Sequence, residues 1–340
     1  MSSVSCCNTK QCDVDQAVIF DVSSTLNMED LLGSWKVRWG IGRMNYTVKP
    51  GLYRLNNPDT LSPVLVSANY KLTFDGLRKN LAKLPCWILI LDTQGINVWC
   101  AAGKRTFGTD ELIYRIEVTK LGNYVDHRQL ILPQLGASGV CAYDVKEKTA
   151  FTVLFGPVYA KDIPEYITAH YQASPKQRIV QFTFYDRLVL TPVEIMSGLK
   201  MILPVGGIFF ILNQFTQRQF TLADLVLFLV AVLTGSFLTP LLLPYIPGKA
   251  FSWKGWFLGL LGTIITLCLS CCDIWEEACM VIGYGFLLPA LSAYLALNFT
   301  GSSTYTSPSG VFKEMKIALP FIVGFGILGL ILVFIGSFRG

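Results

Sequence analysis

Three observations predict an α/β domain followed by an all-α transmembrane domain. Hydrophobic residues make up 52% of the 340-residue chain and the mean hydropathy is +0.47, too apolar for an ordinary soluble enzyme. Charges are spread along the chain to about Leu190, and long apolar runs take over from Met196. From Ser62, short apolar strands alternate with helical patterns. That alternation implies a parallel sheet covered on both faces, a Rossmann-like arrangement.

Residues 1–30 read as a polar, irregular tail holding Cys6, Cys7 and Cys12, and the α/β domain is expected over 31–190. PVLVSA (63–68) reads as a strand, LTFDGLRKNLAKL (72–84) as a helix and CWILILD (86–92) as a strand. TDELIYRIEV (109–118) reads as a helix with Thr109 as its N-cap and acids in its first turn. RQLILP (128–133) and TAFTVLFG (149–156) are expected strands, and KDIPEYITAHY (161–171) a closing helix. Residues 191–340 hold five spans near 197–214, 222–246, 253–272, 278–298 and 317–337, most with the apolar length a bilayer requires. Lys200 and Pro204 interrupt the first span, and the Gly255/Gly259 pair in the third suggests helix packing.

The first thirty residues show no secretory signal pattern, so the N-terminal domain is expected in the cytoplasm. Lys249, Lys254, Lys313 and Lys316 then fall in inner loops, and Asp273, Glu276 and Glu277 in an outer one. This is the positive-inside arrangement of a multi-pass protein of the cytoplasmic membrane, with its C-terminus outside. A net charge of +5 without dense Lys/Arg clusters argues against nucleic acid as a partner. Ten irregularly spaced cysteines in a reducing compartment suggest free thiols or metal ligands.

One segment carries chemistry. INVWCAAGK (96–104) lies just past the carboxyl end of an expected strand, where ligands bind in such sheets. Asn97 is a good N-cap, which puts Val98, Trp99 and Cys100 in the first turn of a short helix. A cysteine there sits at the helix's positive end, which favours thiolate, and Lys104 and Arg105 add positive charge. Ala101, Ala102 and Gly103 present little bulk, so a large flat partner could lie against the helix. The plainer alternative makes Cys100 a small buried hydrophobe beside Trp99.

NVWCAAGK (97–104) resembles the cap-helix signature of the mercury-methylating corrinoid proteins, the HgcA family, related to the large subunit of the corrinoid iron–sulfur protein. VSANYKLTFDGLR (66–78), TFGTDEL (106–112) and the five spans extend the resemblance. It implies a corrinoid-binding domain with a cap helix, cobalamin as cofactor and Cys100 as lower axial ligand to cobalt, with Asn97 positioning the sulfur. It also implies methyl transfer to Hg(II), a methyl-donor methyltransferase, and a ferredoxin-like electron donor with [4Fe–4S] clusters, HgcB. No iron–sulfur cluster is expected in this chain itself, because Cys6, Cys7 and Cys12 lack a fourth nearby thiol.

Loops beyond other strand ends are expected to complete the site, through Asn69, Tyr70, Thr93, Gly95, Gly136, Ala137 and Ser138, together with Gly156 to Tyr159. His127 and His170, the only histidines, lack the D-x-H-x-x-G pattern of histidine-ligated cobalt. No phosphate fingerprint or nucleophile elbow follows a strand. Cys6, Cys7 and Cys12 could capture Hg(II) or belong to an unstructured tail. Cys268, Cys271 and Cys272 share one helical face, with Cys279 beyond, and could collect mercury or simply pack. Two other functions remain open: a corrinoid methyl carrier of anaerobic one-carbon metabolism, and a thiol-dependent metal transporter.

Overall fold

The computed structural model describes residues 19–213, 215, 220–269 and 278–338, and the chain divides into two compact units. The first comprises residues up to Ser34 and Met44–Ile179. Its strands are β1 (Ile19–Val22), β2 (Gly51–Leu55), β3 (Val64–Ala68), β4 (Cys86–Leu91), β5 (Gln129–Leu132) and β6 (Thr152–Phe155). They form one sheet in the order β1-β2-β4-β3-β5-β6. β4 is buried along its whole length, which explains its continuous apolar run.

The sheet is mixed where the sequence predicts a parallel one. β2 runs antiparallel to β4, while the other neighbouring pairs are parallel. The short β1 comes from the stretch expected as irregular tail and pairs with β2 from Ile19–Leu52 to Val22–Leu55.

Helices cover both faces. α2 (Lys71–Asn80) and α6 (Ile163–Thr168) pack Phe74, Leu77, Ile163 and Tyr166 on one side. On the other, α3 (Val98–Gly103), α4 (Thr109–Val118) and α5 (Ala142–Thr149) bury Ala101, Leu112, Ile116 and Val145. Helix α5 is missing from the sequence-based expectation, and Thr149 ends it rather than opening β6. Thr109 is not a cap: Gly108 takes that position, and the Thr109 hydroxyl accepts the Cys141 N–H at 2.8 Å.

A buried ion cluster fastens the start of α1 (Met28–Arg38) to α2. Arg78 donates to Asp30 at 2.6 Å and to Asp75 at 2.8 Å, and Lys71 bridges the same two carboxylates. Burial would raise the Asp30 carboxyl, but hydrogen bonds from Lys71 and Arg78 hold it at about 2. Because this value is depressed, the stabilisation is complete above about pH 4 and is lost as pH falls towards about 2. Asp30→Asn is therefore expected to destabilise the protein by about 2 kcal/mol at neutral pH. In denaturant titrations of the full chain in detergent, the gap between variant and wild type should close below about pH 2.

The second unit comprises Trp35–Arg43 and the residues from Val180 onward. It contains α7 (Phe184–Asn213), α8 (Leu222–Leu233), α9 (Thr239–Leu242), α10 (Phe251–Leu269), α11 (Ala278–Asn298) and α12 (Pro308–Ser337). Five stretches are long and apolar enough to cross a membrane: Phe184–Ile211, Leu222–Leu242, Phe251–Leu269, Ala278–Ser302 and Ser309–Gly336. The first starts well before the expected 197 and keeps Pro192 and Pro204 within the helix. Gly255 and Gly259 are packing positions. A Cβ on Gly255 would lie 2.4 Å from the Ala296 Cβ, and one on Gly259 2.5 Å from the Ser292 Cβ.

Candidate ligand site at the strand ends

Helix α3 forms as its sequence predicts. Asn97 has extended backbone (φ −64°, ψ 161°), and its Oδ1 accepts the Cys100 N–H at 2.9 Å. The helix ends at Gly103 with Lys104 as its cap, Arg105 follows at φ +63°, and the Thr106 and Phe107 amides both turn back to the Ala101 carbonyl. Ala101 and Ala102 face inward and are fully buried, so they hold the helix on the sheet. Cys100 and Gly103 stand on the outward side, both exposed, and a Cβ on Gly103 would meet nothing within 4 Å. Cys100 is therefore not a packed hydrophobe. Asn97→Ala should leave the Cys100 amide without its acceptor and cost about 1 kcal/mol of cap stability, whereas Asn97→Ser should retain most of it. Amide hydrogen exchange at Cys100 would measure the difference.

β4 and β5 flank β3 on opposite sides, so the chain order reverses between β3 and β5. A crevice beyond the carboxyl ends of strands at such a point is the usual ligand site of an open α/β sheet. A cavity of about 330 Å³ lies there. Leu65 to Ser67 and Ile131 to Pro133 form its base, Gly156 to Val158 one side, and Asn97, Val98 and Trp99 of the α3 start another. Its walls are mostly apolar, with Ser67, Thr73 and Asn97 supplying side-chain polarity. Leu135 also lines it; Cys100 does not, and sits next to Trp99 on the open side of the same helix.

The other expected contacts divide between structural roles and a second cavity. The buried Asn69 ties the loop between β4 and α3 together. Its Oδ1 accepts the Thr93 N–H, the Thr93 hydroxyl and the Gly95 N–H, and its Nδ2 donates to Asp92. Gly95, at φ +73°, fits against Met44 and Thr47, where a Cβ would come within 2.8 Å of Thr47 Cγ2. Tyr70 is buried and bridges Thr47. Gly136 and Gly139 give close packing to the chain around α3: a Cβ on Gly136 would lie 2.6 Å from the Phe107 ring, and one on Gly139 only 2.2 Å from the Phe107 carbonyl oxygen. Ala137 caps the short turn at Gln134–Gly136. Ser138 lines a separate polar cavity of about 500 Å³ with Arg105, Thr109, Asp110 and Cys141. Lys104 is the exposed C-cap of α3.

Neither histidine stands in the cavity. His127 Nε2 meets the Ser62 carbonyl at 2.9 Å, and His170 follows α6 at φ +53°. Cys6, Cys7, Cys12, Cys271 and Cys272 lie outside the described residues. Cys268 is exposed near the end of α10, and Cys279 is half-buried at the start of α11. The cavity residues of β3 and β5 escaped the sequence reading because they look like core. Their position at a chain reversal, which only the strand order reveals, marks them.

The sheet, with an apolar cavity at its switch point and the start of a thiol-bearing helix as one wall, belongs to the class of open α/β folds whose usual ligand site lies there. Its sequence relatives narrow that class. Residues 24–167 match the sequence model of the CdhD family, the CO dehydrogenase/acetyl-CoA synthase delta subunit. The acetyl-CoA decarbonylase/synthase complex subunit gamma of Methanopyrus kandleri is 34% identical over 122 residues, 35% of this chain and 26% of the relative. The subunit of the same name from Methanocaldococcus jannaschii is 32% identical over 127 residues, 37% of this chain and 26% of the relative. That of Archaeoglobus fulgidus is 32% identical over 113 residues, 33% and 24% respectively. The chain thus spans about a quarter of the length of these curated relatives.

Proposed function

We propose that this protein is a membrane-anchored corrinoid methyl carrier that delivers its methyl group to Hg(II). The observation that carries the reading is Cys100: an exposed thiol in the first turn of a capped helix, beside the cavity of an α/β domain similar to subunits of acetyl-CoA decarbonylase/synthase. The residues present fit a corrinoid. Cys100 and Gly103 are both exposed on the outer side of α3, with no atom within 4 Å of a Cβ on Gly103, and the adjoining apolar cavity would accept a substituent of the macrocycle.

When bound, the corrinoid supplies a methyl group on cobalt. Cys100 would hold the cobalt of such a group through its sulfur, a stronger electron donor than an imidazole nitrogen. Asn97 fixes the backbone that carries the sulfur, and Trp99 and Val98 wall the cavity from the α3 side. Hg(II) is a soft acceptor suited to a methyl group leaving with its electrons. A low-potential donor such as a ferredoxin-like [4Fe–4S] protein, HgcB, and a methyl-donor methyltransferase would restore the carrier. The five apolar helices would anchor it in the cytoplasmic membrane with the α/β domain inside.

The test is the full chain in detergent, loaded with methylcobalamin under reducing conditions and supplied with Hg(II). The proposal expects methylmercury at a rate well above that of free methylcobalamin. A rate equal to the free cofactor's, with corrinoid bound, would remove mercury as the acceptor.

A further inference from the structure

We propose that Arg187 of α7 anchors a binding site, within the second unit, for a phosphate group carrying more than one negative charge. Arg187 is only 3% exposed, yet none of the ion pairs among the described residues includes it. Its hydrogen bonds go to neutral oxygens. Nη1 donates to the Phe182 carbonyl at 2.8 Å and to the Tyr305 hydroxyl at 3.4 Å. Nε is buried with no acceptor, and no described residue accepts from Nη2. Arginine keeps its charge inside proteins, and a buried charge left unpaired costs several kcal/mol, on the order of what breaking a buried pair costs. The unserved side of this guanidinium is the Nε–Nη2 edge, where two parallel N–H groups match two oxygens of one anion.

The surroundings set the sign and the access. Phe182, Leu243, Phe251 and Phe299 pack in one cluster, which joins the start of α7 to the chain around α10 and α11. Lys254, also buried, donates to the Leu243 carbonyl of this cluster. Glu314, the carboxylate that attracts it, already accepts the Ser252 N–H and hydroxyl at 2.8 Å each. Asp186, next to Arg187 in sequence, accepts from the Thr183 N–H and hydroxyl. With Lys249, Lys313 and Lys316 close by in sequence, cations outnumber Asp186, Glu194 and Glu314 on these segments. That excess favours a phosphate of about two negative charges over a monoanion such as a carboxylate. The rings against the guanidinium side chain, Phe184 and Tyr305, are 49% and 51% exposed, so one layer of side chains separates it from the surface.

The experiment unfolds the full chain thermally, delipidated in a maltoside detergent, in sodium phosphate or in sodium acetate of equal ionic strength, or with phosphatidic acid added to the micelles. Phosphate in one of its two forms is expected to raise the midpoint by about 5 °C at a hundredfold excess over its dissociation constant, and acetate is not. A shift from inorganic phosphate assigns the site to soluble phosphate, and a shift from phosphatidic acid alone to a lipid headgroup. Arg187→Met should lose the shift, and without phosphate it should be at least as stable as wild type, because it removes an unpaired buried charge. Arg187→Lys, which keeps the charge without the fork, should bind phosphate at least about tenfold more weakly. No shift in wild type from either form, an equal shift in Arg187→Met, or a shift with acetate alone would overturn the proposal. So would a loss of stability in Arg187→Met that is the same with and without phosphate, which marks a guanidinium that serves the fold only.

Discussion

Cys100→Ala is expected to abolish methyl transfer while leaving the fold intact. Cys100 is exposed and makes no core contact, so its loss should cost little stability. Its proposed role is electronic. Without the sulfur the chain would offer the cobalt no soft donor at this position, and the rate should fall on the order of 10³-fold, about 4 kcal/mol of barrier. Cys100→His restores a ligand with weaker donation and should give a rate between the two. Single-turnover assays at matched cofactor occupancy measure the series. Equal rates for wild type and Cys100→Ala would show that the thiol takes no part in transfer.

Gly139→Ala is expected to be nearly as damaging for a different reason. The added methyl would lie 2.2 Å from the Phe107 carbonyl oxygen and 3.1 Å from the Ala102 Cα, both backbone atoms without a rotamer to give way. Relief requires α3 and the Phe107 segment to move off the loop, at a cost of about 3 kcal/mol. Because α3 forms one wall of the cavity and carries Cys100, corrinoid affinity should fall about 100-fold. Gly103→Ala is the control: its Cβ meets nothing, and helix stability should not suffer. Equilibrium titration with cobalamin separates the two variants, and equal affinity in both would show that the seating of α3 does not govern binding.

Local chemistry was legible in the sequence; long-range partnership was not. Asn97 could be read as a cap because its side chain reaches an amide only three residues away. The apolar run of β4 could be read because burial along its whole length leaves it no polar residue, and the five spans because their length and apolar composition mark them without any partner. Thr109 resembles a cap equally well, yet its hydroxyl serves Cys141, 32 residues on, so Gly108 takes the cap position. Asn69 looks like a ligand contact at a strand end and instead gathers amides from Thr93 and Gly95, more than twenty residues away. Gly136 reads as a loop contact at a strand end, and nothing local to it announces that it packs against the Phe107 ring, 29 residues back. The direction of β2 depends on what it pairs with, which its five residues do not encode.

Cobalt-edge X-ray absorption of the corrinoid-loaded full chain tests the bond between Cys100 and the metal most directly. Wild type should show one sulfur neighbour at cobalt, and Cys100→Ala should show only nitrogen, oxygen and carbon. A cobalt shell without sulfur in the loaded wild-type protein, or the same sulfur signal in both proteins, would contradict the account.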